Sequence, residues 1–355
     1  MEHYLPLIWA GLIATAVFLY VVMDGFDLGL GILFPWFQEK DERDVMVNSV
    51  APMWDGNETW LVLGGAGLYA VFPLAYATIL PALYMPLILM LLALIFRGVA
   101  FEMRFKAQGG RAQLWWDRSF SWGSYVAGFC QGIALGALVQ GIRVENRAYA
   151  GGWWDWLTPF SLLTGVALLA GYALLGSCWL IWRTEGRIAA EARRLARLLG
   201  VVTLGMIGLV SLIMPFLQPT FSDRWLRFPG LLLASPVPIL VVLLAWRFFR
   251  ALPITAEREA AAAAHDPTGR HFRWQDGAPF AYALGWFFLA YTGLGISLWP
   301  NIVPPSVSIR EASASPSSQM FLLVGAAVLI PIILTYTAYV YWLFRGKVRI
   351  GEGYH

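Results

Sequence analysis

An all-α, polytopic membrane fold is predicted by three observations: the amino-acid balance, the length of the apolar runs, and the side on which the basic residues fall. The 355 residues are 59% apolar and only 13% charged, with a mean hydropathy of +0.62. An ordinary soluble domain carries roughly 25% charged residues. A spanning helix needs about 20 mostly apolar residues. Nine runs reach or approach that length: 5–34, 51–73, 75–103, 120–141, 158–182, 196–217, 229–250, 279–299 and 319–344. The 18 tryptophans suit bilayer interfaces, where one ring can meet both lipid and water. The lipid bilayer is the expected surrounding, and nucleic acid is not an expected partner.

The first run, 5–34, follows Met1-Glu2-His3-Tyr4, which lacks a basic region, and no small-residue cleavage site comes after it. It reads as a retained first helix, not a signal peptide. The second, 51–73, opens with an acidic motif and ends at Phe72-Pro73, so eight spans plus a half-inserted segment is the alternative count. With nine spans, the loops at 35–50, 104–119, 183–195 and 247–278 share a side with the C-terminal tail. Together with Arg197 at a helix edge, that side holds 19 of the 25 Lys and Arg residues. Arg143, Arg147, Arg224, Arg227 and Arg310 lie opposite, and Arg97 lies within the third run. Basic loops stay in the cytoplasm, which puts the C-terminus inside and the N-terminus outside. An even count would scramble the bias.

Within the loop at 252–278, Glu257-Arg258-Glu259 and an alanine run precede His265-Asp266-Pro267-Thr268-Gly269, predicting a helical extension that ends in a turn. The Ser- and Pro-rich stretch 301–318 reads as an irregular external loop. Ile188 to Arg197 reads as a basic interfacial lead-in suited to anionic lipid. The chain is expected to form a single integral membrane domain, 1–355, with a first helical bundle in 1–141 carrying the acidic motifs and the remaining helices in 158–344. No internal repeat is evident.

Two acidic motifs sit inside the apolar sequence: Asp24-Gly25-Phe26-Asp27-Leu28-Gly29 and Trp54-Asp55-Gly56-Asn57-Glu58-Thr59-Trp60. A carboxylate near the bilayer centre costs about 2.5–3.5 kcal/mol on insertion scales. Four of them in neighbouring runs point to chemistry, and to proton handling above all. Residues three apart on a helix are offset by about 60°, so Asp24 and Asp27 share one face and Asp55 and Glu58 another. Both pairs fall in the cytoplasmic half. The third run brings Arg97, Glu102 and Arg104 to the same level, and Arg97 is the expected counter-charge, because a buried charge needs a partner or water. Gly25, Gly29, Gly31, Gly64, Gly65 and Gly67 allow close helix approach.

A plainer reading stays open. Leu5 to Met23 supplies 19 residues without the aspartates, and Leu61 to Leu80 nearly spans without Asp55 and Glu58. All four acids would then sit at the cytoplasmic interface, with Asp55 and Glu58 favouring a helix N-terminus through its dipole. Trp54 and Trp60 are about 120° apart; interfacial anchoring is the default for them, and contact with a quinone is the alternative. Gln131, Gln140 and Gln218 read as interhelical glue. No histidine lies in an apolar run, so the chain alone supplies no bis-His haem site. No metal site is expected, and Cys130 and Cys178 read as small buried hydrophobes.

Four stretches carry a resemblance: Met23-Asp24-Gly25-Phe26-Asp27-Leu28-Gly29-Leu30-Gly31, Asn48-Ser49-Val50-Ala51-Pro52-Met53-Trp54-Asp55-Gly56-Asn57-Glu58-Thr59-Trp60-Leu61, Phe72-Pro73-Leu74-Ala75-Tyr76-Ala77 and Phe96-Arg97-Gly98-Val99-Ala100-Phe101-Glu102. In order and spacing the chain resembles subunit II of cytochrome bd-type quinol oxidases, including the cyanide-insensitive branch. The resemblance covers the first third closely and the remainder by length and span spacing. It implies two four-helix bundles plus one peripheral helix, in a heterodimer of the bacterial cytoplasmic (inner) membrane. The partner, subunit I, would carry haem b and haem d and oxidise quinol, while this chain would be a haem-free subunit of the oxidoreductase. The complex would reduce dioxygen to water with protons taken from the cytoplasm. Some members add a small accessory membrane subunit or a structural quinone.

Carried over by motif, Asp55 occupies a position proposed to line a proton path, with Asp24 and Asp27 in support. Trp60 lies near a proposed dioxygen access, and Glu58 stands where some relatives carry uncharged residues. A carboxylate held out of water beside another acid can exchange protons near neutral pH. Two other classes compete: a proton-coupled secondary transporter and a purely structural assembly subunit. A transporter should show paired repeats with broken helices in both halves, whereas the acids here crowd into one third.

Overall fold

In lipid every peptide N–H and C=O must be satisfied within its own segment, which makes the long apolar runs helical. The computed structural model describes residues 2–107, 110–253 and 274–351. In chain order the helices are α1 (Leu5–Leu33), α2 (Lys40–Asn48), α3 (Trp54–Val71), α4 (Pro73–Ala82), α5 (Tyr84–Lys106), α6 (Gly110–Gln140), α7 (Pro159–Arg183), α8 (Gly186–Leu217), α9 (Pro219–Trp225), α10 (Gly230–Ala234), α11 (Pro236–Ala251), α12 (Ala278–Leu298), α13 (Ile309–Ala312) and α14 (Pro316–Leu343). Eight spans among the described residues are long and apolar enough to cross a bilayer: α1, α5, α6, α7, α8, α10 with α11, α12 and α14. The chain is therefore an all-α, multi-pass membrane protein.

The nine expected runs become these eight plus α3, an 18-residue helix with Asp55 in its first turn. Two acids and four glycines dilute its apolar character. The run 75–103 is not one helix. It breaks at Leu83, between Pro81 and Pro86, because proline lacks an N–H and clashes with the turn before it. The released piece, α4, packs on two small antiparallel ribbons at the end of the molecule away from the acids. These ribbons pair β1 (Val144–Glu145) with β2 (Ala148–Tyr149), and β3 (Asn301–Val303) with β4 (Val307–Ser308). The stretch 301–318, expected to be irregular, thus holds a ribbon and α13. The basic lead-in before 196 and the expected loop at 110–119 are both helical, as the starts of α8 and α6. The predicted helical extension and turn within 254–273 lie outside the described residues.

Lipid tails are as apolar as leucine, so helices in a membrane associate through close van der Waals contact and hydrogen bonds. Helices α1, α3, α5 and α6 gather on one side, and α7, α8, α11 and α12 on the other, with α7 laid against both α1 and α6. At the α1–α7 crossing, a Cβ on Gly29 would strike the backbone of Tyr172 and Gly176, and one on Gly176 would strike Gly29. Buried side chains run without interruption from Phe26 on α1 through Trp179 on α7 to Trp286 on α12. The segments 1–141 and 158–344 therefore share one core. Helix α14 stands outside, touching α1 and α3 with few residues.

Candidate functional site

The last turns of α1, the first turns of α3 and the last turns of α5 meet at one end of the bundles. The resulting centre is Arg97, whose side chain is 0% exposed. Its Nη1 lies 2.7 Å from Glu58 Oε1 and 3.0 Å from Asp24 Oδ1, and its Nη2 lies 3.8 Å from Asp27 Oδ2. One guanidinium can face three carboxylates because its donors are spread in a rigid plane. The guanidinium also lies over the Phe101 ring, 5.4 Å from its centroid. Asn57 Nδ2 donates to Asp27 Oδ2 at 2.8 Å. Both Asp24 oxygens, Asp27 Oδ1, and Nε and Nη2 of Arg97 lack an aligned hydrogen-bond partner although buried. Buried polar atoms are ordinarily satisfied by protein or ordered water, so the cluster keeps hydrogen-bonding capacity in reserve.

Asp24, Asp27, Glu58 and Arg97 are thus brought together, and Asp55 is not among them. Asp55 is exposed in the first turn of α3, one turn before Glu58. The 60° offset between them is enough for one acid to face Arg97 and the other to face outward. Trp60 is 2% exposed and packs with Ala16, Tyr20 and Ile333, so it is no interfacial anchor. Trp54 is half-buried and stacks on Phe101 with centroids 4.8 Å apart. Glu102 is exposed and pairs with Lys106 at 3.7 Å.

Arg104, expected near the acids of α1 and α3, has other partners. Its Nε meets Asp117 Oδ1 at 2.6 Å and its Nη1 meets Asp44 Oδ1 at 2.7 Å, while Arg43 takes the second Asp117 oxygen at 3.1 Å. This second charged knot joins α2, α5 and α6 beside the first. A reading of 104–119 as loop hid it, because Asp117 then looked solvated.

Polar side chains extend the first cluster in two directions. The Tyr20 hydroxyl lies against the Asp24 carboxylate, receives a bond from Gln131 Nε2 at 2.6 Å, and is linked through Gln131 Oε1 to the Tyr172 hydroxyl at 2.7 Å. On the other flank, the Tyr341 hydroxyl donates to Asn57 Oδ1 at 2.9 Å. Tyr20, Tyr172 and Tyr341 were not legible as site residues; the signal available was only that each carries a hydroxyl in an apolar helix. A cavity lined by Met214, Gln218, Arg224, Ser297 and Asn301 lies at the opposite end and does not touch these acids.

His3, the histidine among the described residues, is exposed and meets Arg310. Among the described residues no group of three or more His, Cys, Asp or Glu side chains could hold a metal.

Fold and site together define a multi-pass helical membrane protein that buries an arginine among three acids. Its membership follows from comparison: the profile of the family "Cytochrome bd terminal oxidase subunit II" matches residues 5–344, and the chain belongs to that family. It is 30% identical over 380 residues to the cytochrome bd-I ubiquinol oxidase subunit 2 of Escherichia coli K12, covering 97% of this chain and 95% of that one. It is 27% identical over 357 residues to the cytochrome bd ubiquinol oxidase subunit 2 of Bacillus subtilis, covering 97% of each. A chain of the bd oxidase structure from Geobacillus thermodenitrificans superposes with a TM-score of 0.71 at 17% identity, covering 96% of this chain and 98% of that one. At that identity the likeness speaks to the fold alone.

Proposed function

We propose that this chain is the haem-free subunit II of a bacterial quinol:dioxygen oxidoreductase, seated in the inner membrane beside a haem-bearing subunit I. In this reading the acidic end faces the cytoplasm, the side the excess of Lys and Arg in the loops favours, and the N-terminus faces outward. The chain then performs no redox step. It braces its partner and leads protons from the cytoplasm towards the site where dioxygen is reduced.

One observation carries the proton reading: three carboxylates converge on a single buried guanidinium, and oxygens of Asp24 and Asp27 remain without aligned partners. Full ionisation would leave the group with two uncompensated negative charges, so the cluster has sites at which a proton can reside. The unaligned oxygens leave room in the hydrogen-bonding scheme for water to link them. Asp55, exposed and one turn from Glu58, is the first station. Glu58, Asp24 and Asp27 follow, with Arg97 as the fixed counter-charge. Trp54 and Trp60 wall this region and are not themselves proton carriers.

The test is Asp55→Asn in the purified complex. Haem content and assembly should match the parent, and quinol-driven oxygen consumption should fall by about 10²-fold, the low end of what a positioned proton-transfer group contributes. Normal turnover of a fully assembled variant rejects the proton role. Loss of assembly favours instead a purely structural subunit, which the complete burial of Arg97 among acids also suits.

A further inference from the structure

We propose that Tyr341 and Asn57 are a positioning pair that closes the inner floor of the acidic cluster and selects which oxygen of Asp27 exchanges protons. The inference rests on the proton-uptake reading above. It starts from an oddity of α14, whose most apolar stretch buries none of its residues. Near the end of this otherwise exposed helix, the Tyr341 hydroxyl turns inward and donates to Asn57 Oδ1 at 2.9 Å, and Asn57 Nδ2 passes the bond on to Asp27 Oδ2 at 2.8 Å.

The order of donors fixes the amide. The Asn57 amide nitrogen, which only donates, faces two acceptors, Asp27 Oδ2 at 2.8 Å and the Met23 carbonyl at 3.4 Å, and this leaves the amide oxygen to accept from the Tyr341 phenol. The reverse orientation would set Asn57 Oδ1 against the Met23 carbonyl, which has no proton to give. With Oδ2 held by Asn57 and faced by Arg97 at 3.8 Å, Asp27 Oδ1 is the oxygen left without a partner. That oxygen is the one free to take and give a proton.

The segment after α14 keeps Tyr341 in place. The Arg183 guanidinium donates to the Phe344 carbonyl, and Val348 N donates to Arg183 O at 2.8 Å. Lys347 Nζ reaches Asp276 Oδ2 at 2.7 Å and Thr184 O at 3.1 Å. The Tyr341 ring meets Trp179 edge-on at 6.3 Å. At the far end of α14, Trp9 Nε1 donates to Gln319 O at 3.1 Å. The helix is clipped at both ends, and the inner clip sets the hydroxyl over Asn57.

The experiment uses the whole complex and measures quinol-driven oxygen consumption in H2O and D2O. Tyr341→Phe keeps the ring and removes the hydroxyl. Its haem content should be unchanged, its turnover about fivefold lower, and its solvent isotope effect larger, which a loss of packing alone would not produce. Fivefold corresponds to about 1 kcal/mol. Asn57→Leu should behave alike, and the double variant should be no slower than Asn57→Leu, because the two residues act in series. Parent-like turnover and isotope effect in Tyr341→Phe overturn the proposal, as does failure of that variant to assemble. Asp27→Asn, run beside them, separates the two levels. If it turns over normally, the proton-uptake reading itself falls; if it is slow while Tyr341→Phe is not, only the floor falls.

Discussion

Arg97→Met removes the guanidinium and keeps an unbranched apolar stem, so it isolates charge from packing. The structure sets the expected size of the effect. Asp24 and Asp27 have almost no exposed side-chain surface and lose their cation outright, while Glu58, 26% exposed, can turn towards water. Breaking a buried ion pair by deleting one partner costs about 3–5 kcal/mol. A second route gives a similar figure: neutralising one carboxyl at pH 7, against a solution value near 4, costs about 4 kcal/mol at 1.36 kcal/mol per unit. The variant should therefore lose about 3–5 kcal/mol of stability. The assay is thermal denaturation of the detergent-solubilised complex, followed by haem absorbance. Combining Arg97→Met with Asp24→Asn and Asp27→Asn should recover most of the loss, because replacing a buried ionic group as a whole is often near neutral. A single variant as stable as the parent, or a triple variant no better than the single, would refute the electrostatic account of this centre.

Gly29→Ala should destabilise by about 1–3 kcal/mol, the range for overpacking, because its methyl meets backbone on α7. Gly65→Ala, with nothing within 4 Å of its added Cβ, should stay within about 0.5 kcal/mol of the parent in the same melt. Asp117→Asn weakens the link of α6 to Arg104 and Arg43 and should cost about 1.5–3 kcal/mol, typical of a hydrogen bond to a charged group. Turnover per haem should hold, since this knot shares no ion pair with the Arg97 cluster; a large fall in turnover at intact stability would show that the two knots work as one.

How far the sequence could be read depends on what each residue answers to. The spans were legible because lipid forces long apolar stretches into helices whatever their neighbours do. Their interruptions were less so: the break at Leu83 needed Pro81 and Pro86 to outweigh a strongly apolar run, and the first turns of α6 were masked by polar residues that look like loop. The acids of α1 and α3 and the counter-charge Arg97 stood out because charges are rare in such sequence. Their pairing did not. Asp55 and Glu58 look equivalent along the chain, yet only Glu58 faces Arg97, and Arg104 answers to Asp117 and Asp44 rather than to Asp24.

By itself, then, the order of residues determined the membrane class, the family and the set of ionisable groups that had to be accommodated, since transfer energies act on each segment separately. Only the tertiary structure decided which carboxylates meet Arg97, and that a tyrosine 284 positions from Asn57 in the chain completes the network below Asp27. Those outcomes depend on helix rotation and crossing distance, set where Gly29 and Gly176 let α1 and α7 touch. A shift of one residue's rotation, about 100°, would redirect every side chain on a helix while leaving its hydropathy unchanged.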